Sequence, residues 1–361
     1  MADRHLITVR EVTYPAGADD ADVRVSVDIS NAVMADLVGH GELDGTYAEA
    51  RGQWQPTPYG TNIRLLAEVA GIPVGRGYVG LPFPEVPDKA YVNVWVLPGH
   101  RGQGVGTALL RRIEAITAAH DRTRLQTWAM SPRPTGELLT ARTGFGAVAA
   151  DAPGTRFAVA AGFVLQQVER MSRWDPHRGR GHLEKVLADA RRSARAYRVV
   201  AWTGFTPPDH IDDMAWLCSR MSTDAPHGDI AVDEQVWDAD RVRATEKRQA
   251  SDDRELLTAA AEHVATGRLV AYTMLTVPTA AGRVARQEDT LVTADHRGHR
   301  LGTLVKAANL LRLAEHAPGV PAVYTWNAEE NRPMLDVNEA LGFEAVGAEG
   351  QWERTTPLEL D

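Results

Sequence analysis

The chain has 361 residues, 44% of them hydrophobic and 24% charged, the balance of a globular protein long enough for two ordinary domains. A formal charge of −9 argues against nucleic acid as a partner, and the single cysteine, Cys218, excludes an internal disulfide and a cysteine-rich metal site. The opening MADRHLITVREV has no apolar leader core and no run approaches eighteen apolar residues, so no membrane contact and a cytoplasmic location are expected.

In chain order, residues 30–38 have helical apolar spacing, with Ser30 or Asn31 as the expected N-cap. Residues 64–69 and 74–81 read as a hairpin across Ala70-Gly71-Ile72-Pro73. A proline-rich loop leads to the strand at 91–97. After it comes a helix to about His120, with Leu109, Leu110, Ile113, Ile116 and Thr117 on one face, and a further strand at 124–129.

The turn between that strand and that helix reads Arg101-Gly102-Gln103-Gly104-Val105-Gly106-Thr107. Its three glycines let main-chain N–H groups close on an oxyanion, the helix start adds its positive dipole end, and Arg101 supplies a countercharge. A Rossmann turn needs a different glycine spacing, and a Walker loop needs a Gly-Lys-Ser/Thr that is absent.

The pattern recurs. Arg297-Gly298-His299-Arg300-Leu301-Gly302-Thr303 follows a strand at 289–293, 196 positions after the first copy, and a second hairpin spans 255–275. Each half also has a helix ending in Gly-Phe, at Gly162-Phe163 and Gly342-Phe343. These are 180 apart, which leaves about sixteen extra residues within 131–156 of the first half, either a cover for a site or a surface insertion. Residues 172–181, polar and rich in breakers, read as the junction. The expected organisation is two domains, 1–174 and 182–361.

The run V-x-P-x-x-R-G-Q-G-V-G at a strand end resembles the acetyl-CoA diphosphate loop of the GNAT N-acetyltransferase superfamily, and the doubled layout resembles its tandem type, of the mycothiol synthase kind. The resemblance implies an α+β fold, a three-layer α/β arrangement of two tandem domains, each a twisted mixed sheet flanked by helices. It implies acetyl-CoA as donor and direct transfer to an amine. The pantetheine arm would lie in a splay between two strands, against the backbone of Val96 and Leu97 or of Val292 and Thr293. Asn331 matches the helix asparagine that contacts pantetheine in the family.

The halves depart from the family pattern in different ways. Arg300 stands where Gly104 stands in the first loop, narrowing the approach to the diphosphate or pairing with it. The tyrosine that protonates the departing thiolate is replaced by Ala158 and by Asn338, of which only the amide can hydrogen-bond the thiolate or carbonyl. The strand at 91–96 has no carboxylate, whereas Gln287-Glu288-Asp289-Thr290 has two. The second half is therefore the expected chemical site, with Glu288 as base; Glu68 and Glu262 are weaker candidates.

An acceptor pocket is expected from residues 210–221 and 222–229. Asp212, Asp213 and Asp224 either greet a cationic acceptor or form a solvated acidic face, and Trp202, Trp216, Trp237, Trp326 and Trp352 either line a pocket or fill core. His227 and Asp229 have no supporting cluster, so no metal is expected. The reading is an acyl-CoA-dependent N-acyltransferase acting on a small polar amine. The alternative is a CoA-binding sensor or scaffold with one or both halves inactive.

Overall fold

The computed structural model describes residues 6–12, 21–54, 60–82, 88–132, 136–224, 236–250 and 253–356. In chain order the elements are β1 (Ile7–Val12), α1 (Ala21–Val38), α2 (Tyr47–Trp54), β2 (Gly60–Val69), β3 (Ile72–Pro82), β4 (Lys89–Val96), α3 (Val105–Ala119), β5 (Arg124–Pro132), β6 (Leu138–Thr140), β7 (Ala147–Ala149), α4 (Pro153–Ala160) and β8 (Val164–Trp174). There follow α5 (Arg180–Ser193), β9 (Tyr197–Thr203), α6 (Ile211–Asp224), α7 (Ala239–Gln249), β10 (Arg254–His263), β11 (Arg268–Pro278), β12 (Ala285–Val292), α8 (Leu301–His316), β13 (Val323–Ala328), α9 (Arg332–Leu341) and β14 (Glu344–Thr355).

Two compact units result. The first holds Met1–Leu139, Val148–Gln166 and Gly350–Asp361; the second holds Thr140–Ala147 and Gln167–Glu349. The boundaries expected from sequence, 1–174 and 182–361, are contiguous, whereas these units interleave. Of the expected junction, residues 172–174 are strand and residues 180–181 open α5.

In the first unit β1, β2, β3 and β4 pair antiparallel in that order, and β5 joins β4 in parallel. The hairpin turn has positive φ at both Ala70 (51°) and Gly71 (79°), the geometry that matches strand twist. Helix α3 packs Leu109 and Ile113 onto β3, where a Cβ on Gly75 would come within 3.1 Å of Val105, so glycine sets the close approach. Helix α1 covers the other face, with Ile29 and Val33 against Leu66. The helix begins at Ala21 rather than at the expected cap, because Ser30 satisfies its hydroxyl mid-helix on the Ser26 carbonyl at 2.8 Å.

Residues 353–356 complete this unit. Gln126 donates to Glu353 at 2.7 Å, Arg354 donates to the Ala161 carbonyl at 2.7 Å and lies over the Phe163 ring, and the Thr356 N–H reaches the Thr123 carbonyl at 2.7 Å.

The second unit repeats the plan: β9, β10, β11 and β12 pair antiparallel, β13 joins β12 in parallel, and β8 runs antiparallel to β13. The repeat extends to detail. A register shift falls at Ala67/Glu68 in the first unit and at Ala261/Glu262 in the second. Both Gly-Phe helix ends close alike: the Phe163 N–H bonds the Ala158 carbonyl at 2.9 Å, and the Phe343 N–H bonds the Asn338 carbonyl at 3.0 Å.

Two differences separate the units. Helix α5 adds Leu183, Leu187 and Ala190 to the core around Leu301, Leu304 and Leu341 of α8 and α9. Strand β12 carries a bulge against β11 between Thr273 and Leu275, whereas β4 pairs with β3 without a shift.

Candidate active site

In the first unit β4 and β5 pair only from Lys89↔Arg124 to Tyr91↔Gln126, so both strands run on unpaired and splay. In the second, β12 and β13 pair only at Ala285↔Val323 and Arg286↔Tyr324. Each unit thus has an opening whose wall is the free edge of a strand leading to a glycine corner.

Backbone direction alternates along that edge. The Leu97 N–H is spent on the Val74 carbonyl at 2.9 Å and the Thr293 N–H on the Val270 carbonyl at 3.1 Å. Val96 and Val292 therefore turn their amide groups toward the openings. Of the four backbone contacts expected for pantetheine, Val96 and Val292 face the opening, and Leu97 and Thr293 face the neighbouring strand.

At the first corner Gly102 and Gly104 adopt φ of 73° and 92°, open to glycine and strained for other residues. A Cβ on Gly102 would meet nothing within 4 Å, and one on Gly104 only Ile7 at 3.6 Å. Gly104 caps α3 without a side-chain hydrogen bond, and the helix's first internal bond is Ala108 N–H to the Gly104 carbonyl at 2.9 Å. The N–H groups of Val105, Gly106 and Thr107 are left as anion donors, with Thr107 and residues 102–104 exposed. Gln103 steadies the turn by donating to the Gly99 carbonyl at 2.9 Å. Gly106 lets Phe157 of α4 close in, since a Cβ there would sit 3.1 Å from its ring. Open donors, spare volume and a splayed edge suit the diphosphate and arm of a coenzyme A thioester.

The second corner keeps the backbone course but not the access. Arg297, Gly298, His299 and Arg300 are exposed, and Arg300 holds the cap position at φ 57°, a left-handed conformation that costs a non-glycine residue about 1–2 kcal/mol. The turn behind it is more closely covered: Leu301 is buried as Val105 is, but Thr303 is 5% exposed where Thr107 is exposed, and Gly302 is buried near Val292 and Val337. The helical face exposed on α3 is covered on α8, where α5 packs.

The arginines at both corners are braced alike. Nε of Arg101 donates to the Val96 carbonyl and Nε of Arg297 to the Val292 carbonyl, each at 3.2 Å, and Arg101 also pairs with Asp36 at 2.7 Å. Beside the second corner the Tyr197 hydroxyl lies 2.9 Å from Nδ1 of His296, with the rings of His263 and His299 packed on it.

Glu288 accepts from Thr276 at 2.7 Å. Asp289, beside it in the bulge, is reached by solvent yet ringed by protein; burial and then the Glu288 charge push its carboxyl up to about 6, and the Tyr272 hydroxyl stands 3.5 Å away. Gln287 fills the bulge, donating to the Met274 carbonyl at 2.8 Å. Cys218 sits under Tyr272, and burial lifts its thiol to about 12, which removes it as a nucleophile.

Asn338 is buried and donates to Asn327 Oδ1 at 2.6 Å, leaving its own Oδ1 unpartnered. Asn331 caps α9, accepting from the Met334 N–H at 3.3 Å. Glu68 is tied to Arg10 and Glu262 to Arg198, each at 2.8 Å. Asp213 is structural, holding the Leu269 N–H at 2.8 Å and Arg268 at 2.5 Å. His227, Asp229 and the rest of 225–235 lie outside the described residues, as does the side chain of Asp224. Among the described residues no group of three His, Cys, Asp or Glu side chains is arranged for a metal ion, and no helix is long and apolar enough to cross a membrane.

The comparisons agree with this geometry. Residues 62–146 match the family model of the acetyltransferase (GNAT) domain. The chain also superposes along its length on a tandem GNAT protein from the clavulanic acid biosynthesis pathway, with a TM-score of 0.76, 27% identity, and coverage of 97% of this chain and 98% of that one. This is a tandem GNAT fold. Two further structures share the fold at lower identity. A GCN5-related N-acetyltransferase from Sphaerobacter thermophilus has a TM-score of 0.60, 13% identity, and coverage of 98% of this chain and 97% of that one. A glucosamine N-acetyltransferase region of a fungal multi-domain β-N-acetylglucosaminidase has a TM-score of 0.61 and 14% identity, covering 97% of this chain and 38% of that one. No curated protein matches the chain in sequence. The tandem GNAT fold supports acyl-CoA-dependent acyltransfer in general.

The sequence reading missed Asp289 as the freer carboxylate and two arginines on the α1 face of the first sheet, Arg64 and Arg76. The alternation Arg64-Leu66 in β2 and Arg76-Tyr78 in β3 was the available signal, since paired strands put both on one face.

Proposed function

We propose that the chain is a cytoplasmic N-acyltransferase that uses acetyl-CoA and transfers its acyl group directly to a small polar amine, with the donor held by the first unit. The observation that carries this reading is the first corner, where a turn exposed at 102–104 and at Thr107 ends a splayed strand edge. Its main-chain donors would hold the diphosphate, and the Val96 amide the pantetheine arm. The thioester supplies the activated acyl group. The chain's part is to lay it along β4, exclude alternative poses and admit the neutral amine, whose nitrogen forms the new bond as carbon–sulfur breaks. The nitrogen gives up its surplus proton to solvent, and since Ala158 has no proton to give, the departing thiolate takes one from solvent.

Calorimetric titration with acetyl-CoA followed by thiol release over a panel of amines tests this. No binding sinks the reading. Binding with no turnover on any amine favours a CoA sensor or scaffold instead.

One observation favours a second reading, in which the second unit does the chemistry. The β12 bulge presents Glu288 and Asp289 at its opening, and bulges commonly re-aim side chains at reactive sites. Under it, Glu288→Gln or Asp289→Asn lowers turnover about 10²-fold or more with little change in CoA affinity. Unchanged turnover in both variants leaves the chemistry with the first unit.

A further inference from the structure

The face of the first sheet covered by α1 and α2 holds two arginines, Arg64 buried and Arg76 half-buried, that no carboxylate among the described residues answers. Register places Arg64 opposite Tyr78 and Arg76 opposite Leu66 and Trp95, so the guanidinium-bearing positions are diagonal neighbours on one face, continuing to Asn93 and Trp95 of β4. Arg64 is 8% exposed; it donates to the Gln53 carbonyl at 3.1 Å and lies 4.5 Å over the Trp54 ring, while its Nε is buried without a partner. Arg76 donates to the Ser30 hydroxyl and lies 5.6 Å from the centre of the Trp95 ring.

Burial first, and for Arg64 the charge of Arg76 as well, bring both guanidinium groups down to about 10 against the opposing pull of Tyr78, still protonated at neutral pH; no carboxylate among the described residues contributes to either. The second unit has nothing comparable at the matching place. Tyr272 pairs with Ala260 and Leu291 there as Arg76 pairs with Leu66 and Trp95, and its neighbour is the acidic Asp289.

Two like charges withdrawn from water onto neutral partners weaken the fold unless an anion joins them. An indole flanks each guanidinium, Trp54 beside Arg64 and Trp95 beside Arg76, and the guanidinium edge is the geometry that a planar carboxylate meets with two parallel hydrogen bonds. Trp95 adjoins Val96, whose amide faces the donor opening, so a ligand anchored on Arg76 extends past the indole to the strand edge.

We propose that this face is the acceptor's docking site and that the acceptor is an amine that also bears a carboxylate, held by Arg76 and Arg64. The amine half of this statement rests on the acyltransferase reading above; the carboxylate half stands on the arginines alone.

The test measures thermal stability and calorimetric binding with β-alanine, lysine and arginine, each against its carboxamide, and with acetate and inorganic phosphate as plain anions. It uses the full chain, Arg76→Gln and Arg64→Gln. The expected result is that the acids raise the melting temperature and bind at least tenfold more tightly than the carboxamides, and that Arg76→Gln brings this preference within twofold. Without ligand, Arg76→Gln should melt no lower than the parent chain. The proposal is overturned if no carboxylate stabilises the parent chain, if phosphate alone does, or if both variants keep the preference. CoA titrations of the same samples separate the outcomes, because absent CoA binding removes the acyltransferase reading and leaves the carboxylate result untouched.

Discussion

Arg101 donates through Nε to the carbonyl of Val96, 3.2 Å away, in the strand residue whose amide group turns toward the first opening. The bond fixes the strand end against the glycine corner, and Asp36 neutralises part of the charge that the corner would offer a diphosphate. Asp36→Asn should therefore tighten CoA binding by about threefold at low salt, an effect that fades near 0.5 M as screening shortens the field. Arg101→Ala should weaken it by about tenfold. Titration calorimetry at two salt concentrations reads both, and a weaker Asp36→Asn variant would show that the ion pair's role is only to position Arg101.

The open first corner and more closely covered second one predict one tight CoA per chain. Gly104→Glu puts a side chain and a charge into a site with φ of 92°, and should abolish that binding. A stoichiometry of two, or a Gly104→Glu variant that still binds tightly, would mean that the first turn of α8 opens to ligand.

Asp289 gives the fold a pH signature. The protein around its carboxyl and then the Glu288 charge raise it to about 6 although solvent reaches the residue, whereas the unfolded chain releases the proton near 3.8, so the folded state binds more protons between those limits. Stability from this group is present below about 4 and lost as pH rises through 6. Asp289→Asn should remove that loss and raise the melting temperature at pH 7 more than at pH 4. An equal shift at both pH values would place the carboxylate in water.

Lys306 is 1% exposed in α8, 5.4 Å from the Phe343 ring centre and with no hydrogen-bond partner among the described residues, and burial lowers its ammonium to about 7. The unfolded chain keeps the proton to about 10.5, so this group's contribution should grow more favourable from pH 7 to 10. Leu110 holds the matching place in α3. Lys306→Leu should raise stability by about 2 kcal/mol at pH 7 and flatten that pH dependence, as denaturant melts at several pH values would measure.

The corners and the Gly-Phe helix ends were legible in the sequence because each depends on backbone that glycine alone adopts easily, at Gly104, Gly162 and Gly342. The repeat was legible because it preserves those positions. Access was not, since nothing in the spacing of Leu183 and Leu187 says that α5 packs on the turn at Leu301. The bulge at Glu288 and Asp289 depends on pairing with β11, and alternation alone put the two residues on opposite faces. The boundary at 174 followed the polar run 175–181, while the ordering of residues after Gly350 depends on partners such as Thr123 and Glu114, more than two hundred positions upstream.

That last dependence carries over to biosynthesis. Because Glu353, Arg354 and Thr356 supply partners to residues 114–161, the half that leaves the ribosome first waits for residues 353–356 before its sheet is complete. A nascent chain stalled shortly before residue 350 would leave the β5 edge, which β14 covers in the finished sheet, open to chaperones and proteases.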